Sequence, residues 1–422
     1  MVASNRGIEK KTLLITSLGG ILEFYDFIIY ALLASYLAHH FFPTGNDLSS
    51  LFFALLTYAV AYVARPVGGV IFGHFGDRIS RRTTFATSIL MMSVSTLCIG
   101  LLPTYTAIGL FAPLLLVICR ITQGLSVGGE VPGAITYLAE RMPTRAGLAC
   151  GVLFAGNSCG ITLGAAVIAM LQMFLPSEAM HAWGWRVPFI IAGLVGIMGF
   201  RYRLALNESQ TFTALRGNVA KLPFVELVKS HSKEVFYGLT LMALAATLAT
   251  LLLIFLPAYL HQIVHYAIPN FMWYYTGALI VSAFIDIFVG HLSDSKNHHR
   301  IIITLCIVSI VTAYPIYLIY TTYPALSVLA LFLSIIPNGI AFGLIPRMLA
   351  DIFPPEVRYS GVALCYSLGF AIFGGIIPLV ATALVYEWHS QEAPAVIIIS
   401  LALMTLVIEC IYKKKQMLCP NQ

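Results

Sequence analysis

Apolar runs about as long as a bilayer is thick recur along this sequence, and that recurrence limits the fold more than any other feature. Each holds about 20 residues, enough for one α-helix to cross a hydrocarbon core of about 30 Å. They fall at 12–38, 50–73, 83–102, 108–139, 147–175, 187–206, 236–258, 271–292, 300–320, 325–349, 360–384 and 394–412. Lipid offers no partner to backbone N–H and C=O groups, so each run is expected to be a helix that satisfies its own backbone. Composition agrees: 59% of the 422 residues are hydrophobic and 10% charged, whereas soluble domains carry about 25% charged residues. The short β-branched strands of a soluble α/β protein do not appear. The expected fold class is an all-α polytopic membrane protein with twelve transmembrane helices.

The opening "MVASNRGIEKK" has the basic flank of a signal peptide. The run after it carries Glu23 and Asp26, lacks a small-residue cleavage site and is followed by eleven more, so it reads as a retained first helix. An even number of crossings puts both ends on one side. Of the 24 Lys and Arg, Arg65, Arg120 and Arg347 fall inside spans and only Arg186 falls on the far side; the rest share the side of the termini. The positive-inside rule makes that side the cytoplasm. The net charge of +6 is then a topology signal, and no nucleic-acid partner is expected. The eight cysteines lie singly, without ligand spacing, and read as small hydrophobes.

The longest polar stretch cuts the chain evenly. The expected domains are an N-terminal six-helix half at 1–206, a cytoplasmic central loop at 207–235, a C-terminal six-helix half at 236–412 and a short cytoplasmic tail at 413–422. Two loops have echoes. "GHFGDRISRR" from Gly73 follows span two, and "GHLSDSKNHHR" from Gly290 follows span eight. "AERMPTRAG" follows span four, and "ADIFPPEVRYSG" follows span ten. The chain reads as a duplicated six-helix unit in parallel arrangement, the plan of the major facilitator fold.

"GHFGDRISRR" resembles the cytoplasmic loop signature of the major facilitator superfamily, Gly-x-x-x-Asp-Arg-x-Gly-Arg-Arg, with Ser80 where glycine is preferred. "LEFYDFIIY", "YVARPVGGVIFG", "RITQGLSVGGE", "WGWRVPF" and "ALNESQTF" are together similar to the metabolite:proton symporter family, which includes α-ketoglutarate, citrate, shikimate and proline–betaine permeases. Phe24 departs from the family's usual tryptophan, and "DSKNHHR" has lost most of the arginine pattern. The tail ends soon after Lys415, without the coiled-coil extension of osmosensing members, so osmotic regulation is not expected. The resemblance implies a cytoplasmic latch that holds the two halves together in the outward-open state. Its gate residues would be Gly73, Asp77, Arg78, Arg81, Arg82, Glu140, Arg145, Gly290, Asp294, Asp351 and Arg358.

A charge near mid-membrane costs about 2.5–3.5 kcal/mol on insertion scales, so those kept there need a reason. Gly19, Glu23, Asp26 and Tyr30 form one stripe of span one at i, i+4, i+7 and i+11. At about 1.5 Å per residue, Asp26 lies about 22 Å beyond Lys11, and Arg120 about 30 Å from the inner end of span four. Both belong to the outer half. By the same measure Arg65 and Glu130 share an inner layer, about 12 and about 15 Å from their inner ends. Two ion pairs are expected, Asp26–Arg120 and Arg65–Glu130, leaving Glu23 free. "LGG…YD" with an arginine on span four also resembles the proton-coupling pair of sugar porters, which assigns Asp26 and Arg120 to proton coupling; Glu23, left unpaired on the same stripe, is placed with them. Tyr25, Tyr30, Gln123, Asn157 and Asp286 are candidate substrate-cavity residues, Asp286 having no evident basic partner but Arg347.

No nucleotide-binding or zinc-protease motif is present, and no metal, cofactor or enzyme activity is expected. The reading is secondary active transport: proton-coupled uptake of a small polar organic metabolite, an organic acid or a zwitterion such as proline or betaine, by alternating access. The expected partners are that solute, protons and the lipid bilayer of a bacterial inner membrane, with the chain acting as a monomer. Transport of another solute, such as an iron-chelate or drug, by import or export is the alternative. A channel is the rival from a different class.

Overall fold

In the computed structural model, residues 2–214, 223–266, 271–295 and 298–418 are described; Arg216, Lys221 and Lys296, counted above for topology, lie outside them. Among the described residues, twelve helices are long and apolar enough to cross a membrane. The first six spans are Thr12–Leu32, Ser49–Arg78, Arg81–Leu101, Phe111–Arg141, Pro143–Phe174 and Gly184–Leu204. Spans seven to twelve are Ser232–Ile254, Trp273–Ser295, His298–Thr322, Pro324–Ile352, Arg358–Trp388 and Pro394–Lys413. Among the described residues there is no strand. Span one stops at Leu32, where the backbone turns into a separate short helix, Ala34–Phe41.

The contacts divide the chain into two units. The first gathers Met1–Arg141, Gly156–Glu226 and Pro355–Ser367; the second gathers Met142–Ala155, Leu227–Pro354 and Leu368–Gln422. The start of span five thus packs with the second unit and the start of span eleven with the first.

Inside the first unit, spans two and four lie close because small residues face each other. A Cβ at Gly128 would run into the backbone of Arg65, Gly68 and Gly69, so no larger residue fits without separating the helices. An apolar cluster of Tyr25, Ile29, Tyr30, Leu33, Trp185 and Phe189 packs where span one ends and span six begins. In the second unit, spans seven and eleven each contain a π-turn, Thr250–Ile254 and Phe370–Gly374. The hydroxyl of Thr250 reaches the Gly374 carbonyl at 3.5 Å. Such turns widen the helix by one residue and free a carbonyl.

Candidate functional site

One network of the first unit is built on spans one, three and four, around Asp26. Asp26 is 1% exposed. Its Oδ1 accepts the Thr96 hydroxyl at 2.8 Å and its Oδ2 the Gln123 amide at 2.6 Å. The same amide reaches Thr96 Oγ1 at 2.8 Å. Gln123 Oε1 accepts Arg120 Nη1 at 2.9 Å, from a residue one turn earlier on the same helix. Asp26 and Arg120 are therefore brought together, but through Gln123: no ion pair within 4.0 Å joins them. Arg120, fully buried, lies over the rings of Tyr30, Tyr58 and Phe27 at 4.2, 5.1 and 5.5 Å. These rings stabilise a cation in an apolar layer.

Around Glu130 the structure differs from the expected pairing. Glu130 is bound by Arg203, whose Nη1 donates to Oε2 at 2.7 Å and whose Nη2 reaches Oε1. The Ser88 hydroxyl adds a bond at 2.7 Å. Arg65 is not in this pair; its guanidinium stands 4.5 Å from the Phe27 ring centroid and 4.5 Å from that of Tyr62. The reason is azimuth. Shared depth does not make Arg65 and Glu130 face each other, whereas Arg203, 0% exposed at the C-terminal end of span six, points at Glu130 beside Phe85. Glu23 is 0% exposed and neither carboxylate oxygen has a hydrogen-bond partner.

The cavity candidates separate. Gln123 joins the Asp26 network. Tyr30 lends its ring to Arg120 while its hydroxyl donates to Ala54 O at 3.2 Å; the Tyr25 hydroxyl reaches Pro188 O at 3.4 Å. Asn157 is buried with neither amide atom hydrogen-bonded. Asp286 is 2% exposed in the second unit, beside the closely packed Gly151, with its Oδ1 unpartnered. Arg347 does not serve it: that guanidinium lies 3.5 Å from Asp294, 2.6 Å from Asp351 and 3.2 Å from Pro143 O.

The loop residues form two helix-capping sites, one in each unit. In the first, Asp77 accepts the backbone N–H groups of Tyr359 at 3.1 Å and Ser360 at 2.8 Å, the opening of span eleven. Arg81 holds Asp77 from one turn away, donates to Pro355 O at 2.6 Å and lies 3.3 Å from Glu140. Arg358 joins Glu140 at 3.4 Å. Gly73 is needed here, because a Cβ would meet Ser360 Cα at 2.8 Å. Ser80 caps span three by accepting Thr83 N–H at 2.9 Å, which a glycine could not do. Arg82 donates to Leu206 O at 3.1 Å, while Arg78 and Arg145 are exposed. In the second unit, Asp294 accepts Gly147 N–H at 2.7 Å and Leu148 N–H at 2.9 Å, the opening of span five, and Gly290 packs on Gly147. An anion at a helix N-terminus satisfies orphan donors and meets the positive end of the helix dipole.

Three residues outside the expected set belong with these buried charges. Thr96 and Arg203 complete the two networks of the first unit. In the second, Glu409 is fully buried on span twelve, bonded by the Tyr237 hydroxyl and by His299. Among the described residues no group of His, Cys, Asp or Glu could hold a metal ion. A groove of about 630 Å³ lined by Phe255, Leu379, Thr382, Tyr386 and Glu387 lies in the second unit and contains none of the buried charges described above.

Twelve spans, buried charge networks and paired capped loops define a polytopic membrane transporter. The chain matches the Major Facilitator Superfamily over residues 16–364 and belongs to it. It is 31% identical to the proline/betaine transporter of Salmonella typhimurium, over 95% of this chain and 83% of that one. It is 30% identical to the citrate-proton symporter of Klebsiella pneumoniae, over 97% and 93%. Among solved structures, the proton:xylose symporter XylE superimposes with a TM-score of 0.77 at 14% identity, covering 96% of this chain and 95% of that one, a likeness of fold.

Proposed function

We propose that this protein drives uptake of a small polar organic metabolite, an organic acid or a zwitterion, with the proton gradient, and that Asp26, Gln123 and Arg120 are the coupling group. The observation that carries this is a buried carboxylate linked to a buried guanidinium through one neutral amide. A proton on Asp26 would weaken its acceptance from Gln123 and Thr96, and Arg120 would lose the partner that its charge favours. Loading and releasing that proton would bias two conformations that bind it unequally, as alternating access needs. The similarity to a proline/betaine transporter and a citrate-proton symporter supports this reading.

The two six-helix halves, 1–206 and 236–412, are the proposed moving bodies, joined by 207–235. Asp77 and Asp294, with their basic neighbours, are the proposed inner latches. The proposed setting is a bacterial inner membrane with both termini in the cytoplasm and a monomer as the transport unit.

The test is Asp26→Asn in proteoliposomes supplied with labelled proline, glycine betaine or citrate. Accumulation under an imposed proton gradient should vanish while exchange of internal for external solute persists. Undiminished accumulation by a folded Asp26→Asn protein would overturn the assignment.

A further inference from the structure

Glu23 and Arg65 sit at nearly one depth in the first unit. Counted at 1.5 Å per residue from Thr12 and from Arg78, they lie about 17 and about 20 Å in. Glu23 is fully buried with both carboxylate oxygens unpartnered; Arg65 is 5% exposed with its Nε unpartnered. The charges that act on Glu23 are, in order, Arg65, Glu130, Arg203 and Asp26. Glu130 and Arg203 neutralise each other, and Asp26 is held by Thr96 and Gln123. That leaves Arg65 as the counter-charge, yet no ion pair within 4.0 Å closes between the two. Arg65 is instead kept against Phe27 and Tyr62. Tyr366, buried at 2% exposure, lies within the electrostatic reach of both.

An acidic and a basic group held apart in an apolar layer are each costly to charge until something meets them. A ligand with one positive and one negative group meets both. A di- or tricarboxylate would suit Arg65 but be repelled by Glu23, and a neutral sugar would compensate neither. We propose that Glu23 and Arg65 are the two poles of a zwitterion receptor, Glu23 taking the ammonium of a small amino acid or betaine and Arg65 its carboxylate. This rests on the uptake reading above and names the solute class and its contacts.

The test uses purified full-length protein and four probes: glycine betaine, its methyl ester (no negative charge), 3,3-dimethylbutyrate (the same shape without the positive charge) and citrate. Glycine betaine should bind at least about tenfold more tightly than each of the others, as expected when one charged contact is lost. Glu23→Gln should bring betaine and dimethylbutyrate to similar affinities; Arg65→Gln should do so for betaine and its ester. Citrate or dimethylbutyrate binding as well as betaine to the parent protein overturns the proposal, and so does a folded Glu23→Gln protein that keeps the preference. If the variants do not fold, the ranking on the parent protein decides alone. Failure of the uptake reading is distinct: betaine binds but no solute accumulates in proteoliposomes under a proton gradient.

Discussion

Glu130 on span four and Arg203 on span six form a closed, buried ion pair, with Arg203 Nη1 donating to Glu130 Oε2 at 2.7 Å. Removing either partner strands the other in a layer that cannot solvate it, at a cost of about 3–5 kcal/mol. Glu130→Ala and Arg203→Ala should each lower the melting temperature sharply in detergent, and the double variant should lose less than the two losses summed. The matching cycle for Arg65 and Glu130 should be additive to within about 0.5 kcal/mol. A coupling in the Arg65 cycle as large as in the Arg203 cycle would refute this pairing.

Gln123 is the only link between Asp26 and Arg120 described above, so its amide should matter as much as the charges it joins. Gln123→Leu keeps the size and removes all three hydrogen bonds, those to Asp26 and Thr96 and the one from Arg120. Gradient-driven accumulation should fall at least about tenfold, with a smaller effect on exchange, since lost hydrogen bonds to charged groups cost about 1.5–3 kcal/mol each. Transport assays in both modes, on protein shown to be folded, provide the measurement.

Asp77 caps the opening of span eleven, and Ser360 there is 3% exposed. Asp77→Asn keeps the shape and removes the negative charge, a loss of about 0.3–1 kcal/mol at a helix N-terminus. A cysteine at position 360 should then react with a maleimide about two- to fivefold faster than in the Asp77 parent. Insertion and orientation should be unchanged, because the arginines remain. Equal labelling rates would reduce Asp77 to an ordinary loop charge.

His40 lies on the short helix after span one, stacked on Trp185 with Nε2 at 2.7 Å from His181 O. Burial lowers its pKa below the usual 6.5, aided by His39, Arg186 and His181, although the His181 carbonyl opposes the shift. The unfolded chain therefore binds the proton more readily, and the stability that neutral His40 provides is present above pH 6.5. It is lost as pH falls from there through the lower folded value. Melting curves from pH 7.5 to 5 should show the gap between parent and His40→Gln narrowing as the pH drops.

The twelve crossings and the loop echoes were legible because hydrophobic length and cation asymmetry are strong signals along a membrane chain. So was the neighbourhood of Asp26 and Arg120, since depth along a helix can be counted. Azimuth could not be counted. Arg203 sits two residues from the exposed Arg201 at a span end, where cations ordinarily reach for the headgroups. Only its inward-facing direction distinguishes it. Gln123 was legible as a polar residue in a span but not as a bridge, because a neutral side chain leaves no mark in a search for opposite charges.

The two loop aspartates recognise main-chain amides, those of Tyr359 and Ser360 in one unit and of Gly147 and Leu148 in the other. A contact made to the backbone places no demand of its own on the side chains at 359, 360 and 148; Gly147 is the exception, since a Cβ there would meet Asp294 Oδ1 at 2.9 Å. Mutational drift at 359, 360 and 148 is therefore invisible to the carboxylates, and only proline, which has no N–H, would break the bond directly. Substitutions at Asp77 and at positions 359 and 360 should accumulate independently across relatives. Contact inference from correlated substitutions would overlook the pair despite its 2.8 Å hydrogen bond.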